Sequence, residues 1–170
     1  GAFLAVNTDG TIAVFAATSQ RLYKMSNTDL SWENVTNGGD AANYTAVPTD
    51  DQWSFCQFNN TVIAVQQNVA PQYYTLGYST DFAALAGSPP QARFATVVAQ
   101  HVVLSGILNN PHRIAWSARE DHTGWTAGTS GSDTQDFPDG GEVRGVAGGE
   151  FGVVFQENVI RRMTFIPGSD

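Results

Sequence analysis

Four stretches of the chain each combine two runs of β-forming residues with a short turn between them. These hairpins span Phe3 to Phe15, Trp53 to Val65, Ala92 to Leu104 and Val143 to Phe155. A repeat of about 40–50 residues is typical of β-propellers, in which every repeat forms one blade. The pattern therefore predicts an all-β fold of about four antiparallel propeller blades.

The turn residues support three of these hairpins directly. Asp9-Gly10, Asn59-Asn60 and Gly148-Gly149 tolerate the positive φ angles that a two-residue hairpin turn requires. Ala99-Gln100 does not share that tolerance. The third hairpin is therefore predicted from its strands alone.

A third strand is predicted after each hairpin, at Gln20 to Met25, Gln72 to Gly77, Arg113 to Ser117 and Val159 to Ile166. Three of these strands run into a polar corner with a Ser, then an Asp, then a large apolar residue. We expect the acid to hydrogen-bond the turn and the apolar group to cover the blade edge. The candidate corner or interaction residues are Asp29, Trp32, Asp81, Asp121 and Trp125.

The length of 170 residues is typical of one domain. The blade units of the chain are predicted at 1–50, 51–90, 91–141 and 142–170. Polar linkers are predicted at 37–51, 87–91 and 128–141, and at most one helical turn is predicted, at 80–86. The units could close a four-bladed ring or form an arc of a larger ring, and a β-sandwich is the alternative fold. Because the chain starts at Gly1 within an apolar run, without an initiator Met, we expect it to be a piece of a longer protein.

The charge balance limits the partners. A net charge of −8 with only 8 Lys and Arg argues against a protein that binds nucleic acid, because such binding depends on Lys and Arg side chains that neutralise phosphates. A single cysteine, Cys56, excludes an internal disulfide and predicts a buried strand residue. No apolar stretch is long enough to predict a membrane span.

No catalytic, metal or cofactor site is predicted. The three histidines lack metal-ligand spacing, and Glu120-Asp121-His122 reads better as a solvated turn than as a divalent-cation site. The Ser/Asp/Trp corners are loosely similar to the Asp-box turns of sialidase-like propellers, but glycosidase chemistry of that kind needs an arginine cluster. The available arginines show no such pattern: Arg113, Arg119, Arg144, Arg161 and Arg162. The sequence thus predicts a protein that is not an enzyme.

Several stretches resemble the propeller part of the tail nozzle or hub proteins of short-tailed bacteriophages, also called packaged-DNA stabilisation proteins. They are WSFCQFNNTVIAV at 53–65, AGSPPQA at 86–92, IAWS at 114–117 and GGEFGVVFQENVIRRM at 148–163, within a resemblance over roughly residues 20–166.

The resemblance implies a structural virion protein, made in the bacterial cytoplasm and assembled in the phage tail as a ring of identical subunits, with six as the expected number. Other tail proteins would attach to it, and DNA would pass through it without being bound. An acidic surface would then keep the DNA from adhering while it slides.

A carbohydrate-binding propeller is the competing prediction. In it, Trp32 and Trp125 would stack on sugar rings while neighbouring Asp and Asn side chains bind hydroxyl groups. Aromatic residues at a repeated corner more often pack within the blade, because large rings contribute most when they are buried. A glycan partner is therefore ranked below the structural function.

Overall fold

The computed structural model describes residues 1–166, so the last four residues of the predicted fourth unit lie outside the described part. Fifteen strands form four antiparallel sheets, which confirms the predicted all-β fold of about four blade units. No helix in the described part has the length and apolar character of a membrane span.

Each sheet is a meander in which the strands pair in chain order. Blade 1 contains β1 (Ala2–Val6), β2 (Ile12–Ala17), β3 (Leu22–Met25) and β4 (Trp32–Asn34). Blade 2 contains β5 (Ser54–Phe58), β6 (Thr61–Gln66), β7 (Val69–Thr75) and β8 (Ala83–Ala84). Blade 3 contains β9 (Ala92–Val98), β10 (His101–Ile107), β11 (Asn110–Trp116) and β12 (Asp133–Asp136). Blade 4 contains β13 (Val143–Ala147), β14 (Phe151–Gln156) and β15 (Ile160–Thr164).

The third hairpin forms despite its turn residues. Ala99 and Gln100 adopt φ angles of 44° and 70°, the left-handed conformations that this turn type demands. The paired strands, from Val98–His101 to Ala92–Ile107, supply the contacts that hold the turn in this strained geometry.

Two parts of the chain differ from the sequence prediction. The segment 80–86 forms the short strand β8 instead of a helical turn, because Tyr73 of β7 pairs with Ala83. The predicted linker 128–141 contains the polar strand β12 and a 3-10 turn at Pro138–Gly140. An ion pair between Arg113 and Asp136, 2.5 Å apart, fixes β12 to β11.

The apolar core lies between the blades. One cluster, which includes Phe15 and Tyr74, joins blades 1 and 2. A second, which includes Ile63 and Leu104, joins blades 2 and 3. A smaller third cluster around Val154 joins blades 3 and 4. Every blade therefore packs on its neighbour in the chain, as radial repeats do.

Three inter-blade clusters for four blades describe an open arc. A closed ring of four blades would have a fourth cluster between blades 4 and 1, and no core cluster of the described residues joins them. The β-sandwich alternative is wrong as well, since four small sheets pack in sequence instead of two large sheets face to face.

Two buried glutamines tie the inter-blade linkers to the sheets. Gln66, the last residue of β6, donates from Nε2 to the Thr45 carbonyl at 2.8 Å. Gln156 ends β14 in the same way and donates to the Phe137 carbonyl at 2.9 Å. These shared positions show that β6 and β14 are equivalent strands of their blades.

Candidate functional site

Blade 1 presents an uncovered apolar face, which we call the first open face. Leu4 pairs with Val14 and Val6 pairs with Ile12, so all four side chains lie on the side of the sheet that points away from blade 2. Leu4 is 55% exposed and Ile12 is 48% exposed. Trp32, 49% exposed, pairs with Met25 in the same sheet and extends this face.

Blade 4 presents a matching surface at the other end of the arc, which we call the last open face. Phe155 pairs with Ile160, and Val153 pairs with Arg162. Phe155 is 40% exposed and Ile160 is 67% exposed. The Arg162 guanidinium lies 4.6 Å from the ring centre of Phe151, which adds one cation to an otherwise apolar surface.

Residues at the equivalent positions of blade 2 are completely buried. Val62 and Ala64 of blade 2 occupy the positions after the hairpin turn that Ile12 and Val14 occupy in blade 1. Both blade 2 residues are inaccessible to solvent, in the cluster between blades 1 and 2. Phe155, directly before Gln156, corresponds to Val65, directly before Gln66. Val65 is completely buried against blade 3. Within residues 1–166, the two open faces thus carry the kind of surface that blade 2 buries against its neighbours.

No family model matches this chain. A search of curated proteins also finds no match. Nine chains of solved structures match it, among them the crystal structure of the computationally designed Ika8 protein. That likeness has a TM-score of 0.52 at 14% identity, and it covers 95% of this chain and 45% of that chain. At this identity the likeness concerns the fold alone.

Two of the three blade corners contain a hydrogen-bonded unit of Asp, any residue, then Ser or Thr. Asp29 accepts bonds from the Ser31 backbone and hydroxyl at 3.2 and 2.8 Å. Asp121 accepts the same bonds from Thr123 at 2.8 and 2.7 Å. Asp9 does so with Thr11 in the first hairpin turn. Each hydroxyl partner lies two residues after its acid, a spacing that the sequence displays but that our corner motif left out.

These bonds lower the pKa of the Asp29 and Asp121 carboxyl groups. Hydrogen bonds from Ser26 and Ser31 act on Asp29, and those from Thr123 act on Asp121. Asp81 has Ala83 two residues later and accepts no hydrogen bond among those described. In its corner the Ser79 hydroxyl accepts the Thr75 backbone N–H at 3.0 Å instead.

Replacing Asp121 with alanine should destabilise the chain by about 1 kcal/mol, because the Thr123 donors lose their acceptor. Urea unfolding followed by tryptophan fluorescence measures the change. Asp81→Ala is the matched control and should change the free energy of unfolding by less than about half of that amount, as is usual for surface substitutions. An equal loss in both variants would contradict a special role of the Asp121 corner.

The two corner tryptophans have different environments. Trp125 is half-buried beside the cluster between blades 2 and 3, and its indole N–H donates to the His122 carbonyl at 2.7 Å. Trp32 lies on the first open face instead. The expectation that each corner aromatic covers its own blade edge is therefore wrong for Trp32.

One edge of the arc carries six carboxylates, none of which is in an ion pair among the described residues. The turns after the first and third strands of each blade lie at the same end of the antiparallel sheets, and contacts such as the hydrogen bond from Glu120 N–H to the Gln100 carbonyl join them. We call this edge the acidic rim. Its carboxylates are Asp9, Asp29, Asp81, Glu120, Asp121 and Glu150, and Arg119 is the one Arg or Lys in these turns.

His122 of the same corner is packed rather than free to bind a ligand. Its ring lies 5.6 Å from the ring centre of Phe58 and 6.3 Å from that of Tyr73. Burial lowers the pKa of His122, and the neighbouring Asp121 carboxylate acts in the opposite direction. Within residues 1–166, no group of three or more His, Cys, Asp or Glu side chains is placed to hold a metal ion.

A cleft of about 440 Å³ opens between blades 3 and 4. The half-buried Trp116 forms part of its wall and is held by a hydrogen bond from its indole N–H to the Gly131 carbonyl at 2.8 Å. Asp133, Gln135 and Arg161 add polar groups. The sequence prediction missed this cleft, because β12 was assigned to a linker.

The arginines considered for a glycosidase site are dispersed among separate contacts. Arg113 pairs with Asp136 and Arg161 pairs with Asp139. Arg144 bridges Glu142 and Glu157 at the edge of blade 4. These ion pairs lie at separate blade edges, so the arginines do not converge on one substrate position.

Proposed function

We propose that the chain is a structural part of a bacteriophage tail, in a nozzle or hub that conducts DNA during ejection and holds other tail proteins. The observation that carries this proposal is the pair of open blade faces at the two ends of the arc. Contiguous exposed apolar surface of this kind marks protein–protein contact. An assembly of identical subunits, as the resemblance implies, uses such surfaces.

The acidic rim supports the second half of the proposal. Fixed carboxylates repel DNA phosphates, so a DNA molecule that passes this edge is not held by counterion release. A conduit benefits from such a wall, whereas a protein that anchors DNA does not. The surface that faces the DNA path would be the acidic rim.

Electron microscopy of the full-length gene product that contains this chain tests the proposal. We expect rings with an axial pore, and antibodies against the chain should label the tails of intact virions. Persistent monomers, together with unlabelled tails, would contradict a structural role in the tail and would favour a peripheral binding protein.

Reversing charge on the acidic rim should slow DNA ejection from virions by about tenfold or more, since attraction replaces repulsion along the path. Glu120→Lys with Glu150→Lys is suitable, because both side chains are exposed. Asp40→Lys with Asp50→Lys, in the linker at the opposite edge, is the control and should leave ejection kinetics unchanged. Equal kinetics in both variants would contradict the proposed DNA path.

The cleft beside Trp116 favours carbohydrate binding as a second candidate function. A half-buried indole next to carboxylate and amide groups combines the stacking platform and the hydroxyl partners that a sugar needs. A glycan that binds there should quench tryptophan fluorescence, and Trp116→Ala should abolish binding while Trp32→Ala preserves it. No response to a broad glycan panel would exclude this candidate.

A further inference from the structure

We propose that the arc is closed by a second copy of this chain, with the last open face of each copy docked on the first open face of the other. The pairing is head to tail, so one closed pair contains two identical interfaces related by a twofold axis. This inference rests on the proposed structural function and names its partner and its surfaces.

The first argument is the equivalence of the faces. Inside the chain, the face of blade 2 that carries Ile63 and Val65 packs on the face of blade 3 that carries Val102 and Leu104. The last open face corresponds to the blade 2 surface that carries Ile63 and Val65. The first open face corresponds to the blade 3 surface that carries Val102 and Leu104. A second copy therefore supplies on each side the surface that a blade accepts elsewhere in the molecule.

The second argument is charge complementarity. Tyr73 of blade 2 lies against His122, the residue after Asp121 in the corner of blade 3. Arg162 takes the position of Tyr73, since Arg162 pairs with Val153 as Tyr73 pairs with Ile63. The Asp29 corner of blade 1 takes the position of the Asp121 corner.

Docking consequently brings Arg162, the cation of the last open face, to the corner of the other copy that carries the Asp29 carboxylate. Neither residue is in an ion pair within the described part of its own chain. The contact attracts the two faces to each other. It also fixes how they align, because other alignments would separate the opposite charges.

The third argument is size. The matched region occupies 45% of the designed Ika8 chain, so a fold of that length has room for a second set of four blades. A pair of copies would provide these blades.

Light scattering coupled to size-exclusion chromatography tests the inference over a series of concentrations. The wild-type chain should have twice its own mass of 18.2 kDa. Ile12→Glu and Phe155→Glu each place a charge on one open face, and both should be monomeric. Tyr78→Glu is the matched control, because Tyr78 is 83% exposed but lies outside both faces, and it should remain a dimer.

Mixing the two monomeric variants distinguishes head-to-tail docking from the pairing of like faces. The intact last face of Ile12→Glu can dock on the intact first face of Phe155→Glu, so the mixture should recover a dimer through one interface. If like faces paired, one variant alone would stay dimeric. Arg162→Glu, which leaves the apolar faces unchanged, should weaken the dimer about tenfold by placing like charges together.

A wild-type chain that stays at 18.2 kDa at every concentration would overturn the inference, as would a dimer that both face variants leave intact. Circular dichroism of each variant verifies that it is folded. A monomeric chain would leave the tail function standing if the gene product still forms pore-bearing rings. Unlabelled virion tails would overturn the function without affecting the dimer.

Discussion

Replacing Phe15 with alanine is expected to lower the free energy of unfolding by about 4 kcal/mol. Phe15 is inaccessible to solvent at the centre of the cluster between blades 1 and 2. The centre of its ring lies 5.2 Å from that of Tyr74 and 5.6 Å from that of Phe82, and both contacts are edge to face. Removal of the ring leaves a cavity between two sheets that the other side chains of the cluster hold apart.

Urea unfolding monitored by circular dichroism measures the loss. Tyr78→Ala is the matched control, since it removes an aromatic ring that is 83% exposed, and it should change the free energy of unfolding by less than about 0.5 kcal/mol. A small loss for Phe15→Ala would show that blades 1 and 2 are not coupled through this cluster and would question the inter-blade core.

The hairpins were predictable from the sequence because their signal is local. Alternating apolar residues and turn types that accept positive φ identify two adjacent strands without any knowledge of the rest of the fold. Asn59-Asn60 is an example. Asp9-Gly10 also marked a turn, but the connection between Val6 and Ile12 has five residues instead of the predicted two. Ala99-Gln100 shows the limit, since its strained turn is decided by the pairing of β9 with β10 and not by the turn residues.

The fourth strands were harder to predict, because they depend on contacts with sequence-distant residues. All four residues of Asp133–Asp136 are exposed and polar, so its composition resembles a linker. It becomes a strand because Arg113, more than twenty residues earlier, holds Asp136. Single-sequence patterns carry no information about such pairing.

The open faces illustrate a different limit. The alternation of Leu4, Ala5 and Val6 predicts two sides of a strand, but it does not tell which side a neighbour covers. Ala5 is buried and Leu4 is 55% exposed, although leucine is the more apolar residue. Only the order of the blades reveals this assignment. Sequence reasoning therefore found the blades and missed the surfaces through which they would assemble.

The junction between blades 2 and 3 permits the last prediction, which concerns Gly87. This residue precedes β9 with a φ of +83°, in the left-handed region that favours glycine. A Cβ atom at this position would overlap the carbonyl oxygen of Thr123 and would lie 3.1 Å from the ring of Trp125. The Thr123 backbone cannot move freely, because Asp121 holds its N–H at 2.8 Å.

We expect Gly87→Ala to lower the free energy of unfolding by about 3 kcal/mol, of which the positive φ contributes about 1 and the clash the remainder. Gly10→Ala isolates the first contribution, because Gly10 has a φ of +84° and no atom within 4 Å of its added Cβ. It should cost about 1 kcal/mol. Equal losses in urea unfolding would mean that the Thr123 corner yields to the methyl group, and that the Asp121 hydrogen bonds do not fix blade 3 against blade 2.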